Sequence, residues 1–198
     1  MITHNIEVHE NVLPEEHWKH LHDFISNDWF SWTYQSGTVY NDITGEYDSK
    51  GDTPQFVRNF FLRETISNKT KFPIGFNKSM QFHEYFETLP QIGMIAQKLL
   101  PNCNPWRIKA NLLQPHPAAE EHHPWHIDST NSYTSMVYYV NDSDGDTFLS
   151  KEDTQRITPK ANAAVIFPSN LWHASSNPTK GRRMVINYMV ENDLTNLL

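Results

Sequence analysis

Apolar residues in the first half of the chain recur at helical spacing in two segments. Residues Leu13–Asn27 carry such a stripe, and Pro14 with the two glutamates that follow it suits the first turn of a helix. A second helix is predicted over Leu89–Leu100, because its apolar residues keep the same spacing and Pro101 ends it. A shorter helical stretch is predicted around three aromatic residues, Phe82, Tyr85 and Phe86.

A long polar segment separates the first helix from the first clear strand. Residues Gln35–Pro54 are rich in Gly, Asp, Thr and Tyr and show no periodicity, so we expect a loop. A loop of this length is either disordered or functional; as an active-site lid it would offer Tyr40 and Tyr47 as substrate contacts. The apolar run Phe56–Leu62 then predicts a strand.

After Pro105 the apolar residues alternate with a period of two. Runs rich in β-branched and aromatic residues are separated by Gly, Pro, Asn and Asp, which predicts many short strands. Short strands at close spacing favour a sandwich or jelly roll over alternating β/α units. The predicted strands are Arg107–Gln114, Trp125–Asp128, Thr134–Val140, Thr147–Leu149, Gln155–Thr158, Asn162–Phe167 and Arg183–Val190.

The predicted fold is therefore mainly β with flanking α-helices. No change of composition divides the chain convincingly, so we expect one domain over residues 1–198. Within it, residues 1–105 form a helical and loop elaboration with early strands, and residues 106–190 form a jelly-roll core that carries the chemistry.

Charge and cysteine content narrow the function classes. Sixteen basic residues against twenty-three acidic ones give a net charge of −7, which argues against a broad nucleic-acid or anionic-membrane surface. Cys103 is the only cysteine, so an intramolecular disulfide or a cysteine-based zinc site is excluded. Residues Met1–Glu10 show no apolar signal segment, and no run reaches membrane-spanning length; we therefore expect a soluble, cytoplasmic protein without a membrane partner.

Two histidines and an aspartate form a candidate metal site. His126 and Asp128 are two residues apart on a predicted strand, so their side chains share a face, and His173 follows after four further strands. Two histidines and one carboxylate leave one face of a metal open, as non-haem Fe(II) oxygenases require. The same set also binds zinc, so both chemistries stay open from the residues alone.

Two arginines open the last predicted strand. The guanidinium group grips a carboxylate through paired hydrogen bonds, so an arginine near the metal could anchor an acidic ligand. Alternation along the strand places Arg183, Val185 and Asn187 on one face. We expect one of the pair, Arg182 or Arg183, to be solvated and the other to face the site.

Two further histidines precede the candidate metal site. His122 and His123 could imitate a zinc pair with the downstream histidine. Because Pro124 follows them, we expect a loop in which both are flanking residues, exposed or lining the entrance.

The order of these features resembles the 2-oxoglutarate- and Fe(II)-dependent oxygenase superfamily, particularly its prolyl-4-hydroxylase-like branch. The resemblance covers roughly residues 106–190 and implies a double-stranded β-helix as the jelly-roll core. Its matching pieces are His126-Ile127-Asp128, Met136–Asn141, Gly145-Asp146-Thr147-Phe148, Pro159 with Ala163–Phe167, His173 and Gly181-Arg182-Arg183.

The resemblance also implies roles for individual residues. His126, Asp128 and His173 would bind Fe(II) as the catalytic centre, and Arg183, with Arg182 as the alternative, would bind 2-oxoglutarate. Members of the family tend to have an upstream tyrosine that contacts this cosubstrate. The residues that stand in its place or could substitute for it here are Asn111, Gln114, Tyr138 and Tyr139.

By this resemblance the protein is an enzyme that hydroxylates a substrate with dioxygen and releases succinate and CO₂. Its cofactors would be Fe(II) and 2-oxoglutarate, with ascorbate as an additional reductant. The substrate would be a peptidyl side chain such as proline, an amino acid or a small metabolite. Two alternatives remain: a jelly-roll metalloprotein of other chemistry (a cupin-like dioxygenase or a zinc hydrolase), and a non-catalytic jelly-roll binding or virion protein.

Overall fold

A computed structural model describes residues 5–41, 46–47, 52–62 and 89–192 of the chain. This part contains two helices, neither of which is long and apolar enough to cross a bilayer. The helices are α1 (Glu15–Ser26) and α2 (Pro90–Leu99). The strands are β1 (Glu7–His9), β2 (Thr33–Gln35), β3 (Tyr40–Asn41), β4 (Glu46–Tyr47), β5 (Gln55–Leu62), β6 (Cys103–Leu113), β7 (Tyr133–Tyr139), β8 (Thr147–Leu149), β9 (Gln155–Ile157), β10 (Ala163–Pro168), β11 (His173–Ser175) and β12 (Arg183–Asn192).

Two antiparallel sheets form the core of the described part. The major sheet has seven strands in the order β1-β10-β7-β12-β6-β5-β2, and the minor sheet has three in the order β11-β8-β9. Side chains from both sheets line one cavity between them. The prediction of a mainly β fold with a jelly-roll core is confirmed, and strands from the first hundred residues extend the major sheet.

The two faces of the major sheet have different partners. One face packs against both helices in a large apolar core to which β12 contributes Met184, Ile186 and Tyr188. The other face of β12 turns Val185 into a smaller core beside the cavity and carries Arg183 and Asn187, which line the cavity. The alternation predicted for this strand is therefore correct.

Several predicted boundaries are corrected. The predicted strand Trp125–Asp128 is a single β-bridge at His126, and β1, β2 and β11 were not predicted. The predicted loop Gln35–Pro54 contains the β3–β4 hairpin. Its role as a lid stays a prediction, because residues 42–45 and 48–51 lie outside the described residues and the side chains of Tyr40 and Tyr47 are not described. The helical stretch predicted around residues 82–86 also lies outside the described residues.

Candidate active site

Backbone pairing brings two distant histidines side by side. The amide of His126 donates to the carbonyl of His173 at 3.0 Å, and the reciprocal bond measures 2.9 Å. Residues that exchange both hydrogen bonds in an antiparallel pair lie directly opposite, with their side chains on the same face. The two imidazole rings accordingly have centroids 4.2 Å apart.

The carboxylate of Asp128 completes this group. Its backbone amide donates to the Ser169 carbonyl at 2.9 Å, and its Oδ2 lies 3.7 Å from Nε2 of His173. One ligand atom from each of His126, Asp128 and His173 lies within 4.8 Å of the others. The three residues predicted as metal ligands therefore converge between the sheets.

The hydrogen bonds of the histidines present their Nε2 atoms to a metal. Nδ1 of His126 lies 3.3 Å from the Pro124 carbonyl, and Nδ1 of His173 lies 2.9 Å from the Leu171 carbonyl. Because a carbonyl only accepts, each Nδ1 carries a hydrogen, and Nε2 is the ring atom that is left to bind a metal. Burial, reinforced by the neighbouring His173, lowers the pKa of His126 to about 3, so its ring is neutral.

Two donors orient the carboxylate of Asp128. Nη2 of Arg107 donates to Oδ1 at 2.8 Å, and the Ser135 hydroxyl donates to Oδ2 at 2.7 Å. Burial alone would raise the pKa of this carboxyl group, but His173, Arg107 and Ser135 hold it well below its usual value. Two imidazoles and one fixed carboxylate are a donor set that fits Fe(II), with one face left open.

Arg183 is the arginine that faces the cavity. Its side chain is 4% exposed; Nε donates to the Gly145 carbonyl and Nη2 to the Thr147 hydroxyl, each at 2.8 Å. Nη1 makes no hydrogen bond within the described ranges and is available to a ligand. Arg182 is exposed, so the structure separates the two arginines as expected.

The hydroxyl of Thr147 is a second donor at the same place. It accepts a hydrogen bond from the Tyr139 hydroxyl at 2.9 Å in addition to that from Arg183. A threonine hydroxyl accepts two hydrogen bonds and donates one, so its own hydrogen is left to point at a ligand. Threonine is common in any strand, so the sequence alone did not indicate that Thr147 would donate to a ligand.

The structure corrects the expectation for Tyr138. Its ring is fully buried on the helix-facing side of β7, where the hydroxyl donates to Oδ1 of Asn162 at 2.9 Å. Tyr139, the alternative, lies on the cavity side and reaches the Thr147 hydroxyl. Gln114 is exposed and is not among the described residues that line the cavity.

Asn111, named above as a residue in the place of the family's tyrosine, lines the cavity, but both ends of its amide are already paired. Its Nδ2 donates to Oε1 of Gln55, and its Oδ1 accepts from Nδ2 of Asn187 at 3.0 Å. Gln55 in turn donates to the Gly37 carbonyl at 3.0 Å. These hydrogen bonds between amide side chains hold Asn111 in the cavity wall and connect the backbone at Gly37 to that wall.

Two cations on β6 were not predicted as site residues. Arg107 and Lys109 share the cavity face of the strand with Asn111, at alternate positions. Burial, with the neighbouring Arg107 charge, lowers the pKa of Lys109 to about 7. In a single sequence an alternating polar face is typical of a solvent-exposed surface, which is why the pattern gave no sign of a polar interior.

The structure also corrects the expectation for His123. It is buried rather than exposed: Nε2 donates to Oδ1 of Asn177 at 2.9 Å, and Nδ1 lies 3.0 Å from the Ser175 hydroxyl. Burial lowers the pKa of this imidazole. His122 is half-buried with its ring 5.1 Å from that of Trp125, and neither histidine belongs to the ligand cluster found among the described residues.

Comparison with known proteins identifies the superfamily. Residues 113–191 match the model of the 2OG-Fe(II) oxygenase superfamily, and this range contains the three clustered ligand residues and Arg183. No curated protein matches the chain significantly in sequence. Among solved structures, a Pseudomonas putida prolyl-4-hydroxylase is similar, with 14% identity over 96% of this chain and 94% of that chain, and a TM-score of 0.57.

Two further solved structures share the fold. An oxidoreductase of the 2OG-Fe(II) oxygenase family from Burkholderia pseudomallei has 8% identity over 94% of this chain and 84% of its own, with a TM-score of 0.64. A Trichoplax adhaerens prolyl hydroxylase was solved in complex with a hypoxia inducible factor oxygen degradation domain peptide fragment. It has 12% identity over 95% of this chain and 84% of its own, with a TM-score of 0.59. These likenesses show the fold, and the match over residues 113–191 identifies this part of the chain as a domain of the 2OG-Fe(II) oxygenase superfamily, the dioxygenases that use Fe(II) and 2-oxoglutarate.

Proposed function

We propose that His126, Asp128 and His173 hold the catalytic Fe(II) and that Arg183 and Thr147 bind the far carboxylate of 2-oxoglutarate. The observation that carries this proposal is the convergence of two Nε2 lone pairs and one carboxylate at the cavity that Arg183 also lines. A zinc hydrolase would use the same three ligands but would have no use for the buried arginine.

Strand register supports the assignment of the far carboxylate. On β11 and its neighbour β8, His173 pairs with Leu149, and Ser175 pairs with Thr147. Thr147 therefore lies two residues, about 7 Å, along the strands from the level of His173. This spacing suits a five-carbon dicarboxylate with its keto-acid end at the metal and its other end at Arg183.

Each protein group has a separate task in this reaction. When bound, Fe(II) and 2-oxoglutarate supply the oxidation: dioxygen is consumed, 2-oxoglutarate becomes succinate and CO₂, and a substrate C–H becomes C–OH. The histidines keep their Nε2 lone pairs available because backbone carbonyls hold their Nδ1 hydrogens. Arg107 and Ser135 keep the Asp128 carboxylate ionised and oriented. Burial of Arg183 would keep water away from the ion pair between its guanidinium and the cosubstrate carboxylate, which would strengthen that pair.

We infer that the substrate is a peptidyl side chain or a small molecule rather than a nucleic acid. The net charge of −7 disfavours phosphate binding over a broad surface. A peptide is one candidate because the similar Trichoplax adhaerens enzyme was solved with a peptide fragment. A cytoplasmic location remains a prediction.

The test of this function is succinate formation by the purified protein. With Fe(II), 2-oxoglutarate and dioxygen we expect slow succinate release even without substrate, and stimulation by a substrate found in a panel of peptides, amino acids and metabolites. The same protein loaded with zinc should release none. Absence of succinate with Fe(II) bound, together with hydrolytic activity in the zinc form, would favour the zinc hydrolase instead.

Gly145→Ala is expected to weaken 2-oxoglutarate binding. A Cβ at this position would lie 2.7 Å from the Ser176 carbonyl oxygen, 2.8 Å from the Pro178 nitrogen and 3.0 Å from Cδ of Arg183. Backbone atoms cannot move far to make room for the added Cβ, so we expect the free energy of unfolding to fall by about 1–3 kcal/mol. We also expect the side chain of Arg183 to be displaced. Thermal melting and cosubstrate titration would measure the two effects.

Gly181→Asn is the matched control for that variant. Gly181 has φ +67°, a conformation that asparagine tolerates, and an added Cβ there would meet no atom within 4 Å. We expect unchanged cosubstrate affinity in this variant. Equal affinity in Gly145→Ala and the wild type would show that the glycine does not position Arg183.

Arg107→Met and Ser135→Ala are expected to weaken Fe(II) binding by about 10–100-fold each, because groups that orient a ligand typically contribute this much. Each change removes one of the two hydrogen bonds to Asp128 and leaves all three ligands in place. Competition with a metal-sensitive dye under anaerobic conditions would give the affinities. Wild-type affinity in both variants would mean that Asp128 does not ligate the metal.

A further inference from the structure

Lys109 differs from its neighbours on the cavity face of β6. Arg107 donates to Asp128, and Asn111 is hydrogen-bonded at both ends of its amide. Lys109 is half-buried and lines the same cavity, yet within the described ranges it makes no hydrogen bond or ion pair. A partly buried ammonium group without a partner costs free energy, so the position is one that an anion would stabilise.

The charge of the cavity points to an anionic ligand as well. Fe(II) and the 2-oxoglutarate dianion would cancel each other's charge, so the protein's own charges decide the balance. Two guanidinium groups, together with Lys109, which a bound anion would keep protonated, face one carboxylate beside the open face of the metal site. Besides histidines, the charged side chains that line the cavity among the described residues are Arg107, Lys109, Arg183 and Asp128.

Strand register separates Lys109 from the carboxylate site at Arg183. Lys109 pairs with Asn187, which lies four residues from Arg183 on β12, about 13 Å along the strand. Arg107, which donates to Asp128, is only two residues away on β6, about 7 Å, so Lys109 lies nearer to the metal site than to Arg183. A carboxylate bound at Lys109 is therefore a different one from that held by Arg183.

We propose that Lys109 is a second carboxylate-binding residue of this cavity, next to the metal site. The inference rests on the proposed function. The carboxylate belongs either to the organic substrate, which would then be an acid, or to the keto-acid end of 2-oxoglutarate. In both cases the ammonium fixes the position of an acidic group beside the reacting atoms.

The experiment compares the wild type with Lys109→Met, Lys109→Arg and the surface control Lys19→Met, all loaded anaerobically with Fe(II). The visible charge-transfer band of the iron chelate measures 2-oxoglutarate affinity, and its shift on addition of acetate measures anion binding near the metal. Thermal melting checks that each variant is folded.

If Lys109 binds the keto-acid end, Lys109→Met weakens 2-oxoglutarate affinity by about tenfold or more, and Lys109→Arg recovers most of it. If it binds a substrate carboxylate, 2-oxoglutarate affinity is unchanged and the acetate-dependent shift of the wild type is lost in Lys109→Met. Equal affinity and equal acetate response in Lys109→Met and the wild type, including no response in either, overturn the inference. A wild type that shows no band overturns the proposed function together with it.

Discussion

Replacing His173 by alanine is expected to abolish Fe(II) binding and every activity that depends on it. His173 supplies one of the two Nε2 atoms at the ligand cluster, and apart from His126 no histidine of the described residues lies there. Changes to groups that only orient a ligand cost about 10–100-fold in metal affinity, so loss of a ligand should cost about 100-fold or more. His126→Ala should have an equal effect, because the two imidazoles are equivalent donors.

Two measurements check this result: Fe(II) content after anaerobic loading, and the charge-transfer band with 2-oxoglutarate. His122→Ala is the matched control, since His122 is a nearby half-buried histidine outside the cluster and should bind metal as the wild type does. A His173→Ala protein that is folded and still takes up one Fe(II) with wild-type affinity would remove His173 from the metal site.

The second large effect is expected from Arg183→Gln, which should weaken 2-oxoglutarate binding while Fe(II) binding persists. Removing one partner of a buried, hydrogen-bonded charge pair costs about 2–5 kcal/mol, which corresponds to a dissociation constant about 30-fold higher or more. The guanidinium of Arg183 is hydrogen-bonded to Gly145 and Thr147 and, within the described residues, to none of the three metal ligands. Metal affinity should therefore change little.

The neighbouring arginine provides the control for this variant. Arg182 is exposed, and we expect Arg182→Gln to bind 2-oxoglutarate as the wild type does. Thr147→Val, which removes only the hydroxyl, should give a smaller loss than Arg183→Gln. Unchanged affinity in Arg183→Gln, or a loss confined to Arg182→Gln, would contradict the assignment.

The ligand cluster was predictable because its geometry follows from spacing. Residues two apart on an extended chain share a face, which places His126 and Asp128 together even though this segment forms only a single β-bridge at His126. The choice between Arg182 and Arg183 also follows from alternation, once the strand is known to begin there. The return of His173 to the same point was an inference from strand number and resemblance, and its reciprocal backbone pairing with His126 supplies the physical cause.

The choice between Tyr138 and Tyr139 was not predictable, because β7 is buried on both faces. Residues 135–140 are all buried, so apolar periodicity does not say which face meets the helices and which the cavity. The distinction depends on the position of α1 and α2, which pack on the Tyr138 side. Pairing across strands, and not local pattern, decides this orientation.

The polar lining of the cavity was not predictable either, because its strand alternates like one with an exposed polar face. Arg107, Lys109 and Asn111 alternate with apolar residues, a pattern that predicts an exposed polar face. Here the polar face is enclosed by the minor sheet, so the same pattern marks a binding cavity. His123 was misjudged similarly: its burial depends on Asn177 and Ser175, more than fifty residues away in the chain.

The central claim is that three distant side chains bind one Fe(II) beside a guanidinium that holds 2-oxoglutarate. The most direct test is a crystal structure of the chain grown anaerobically with Fe(II) and 2-oxoglutarate, with anomalous data at the iron edge. We predict a single iron peak within bonding distance of Nε2 of His126, Nε2 of His173 and a carboxylate oxygen of Asp128, and the far carboxylate of the cosubstrate against Arg183. An iron peak elsewhere, or a cosubstrate that does not touch Arg183, would contradict the account.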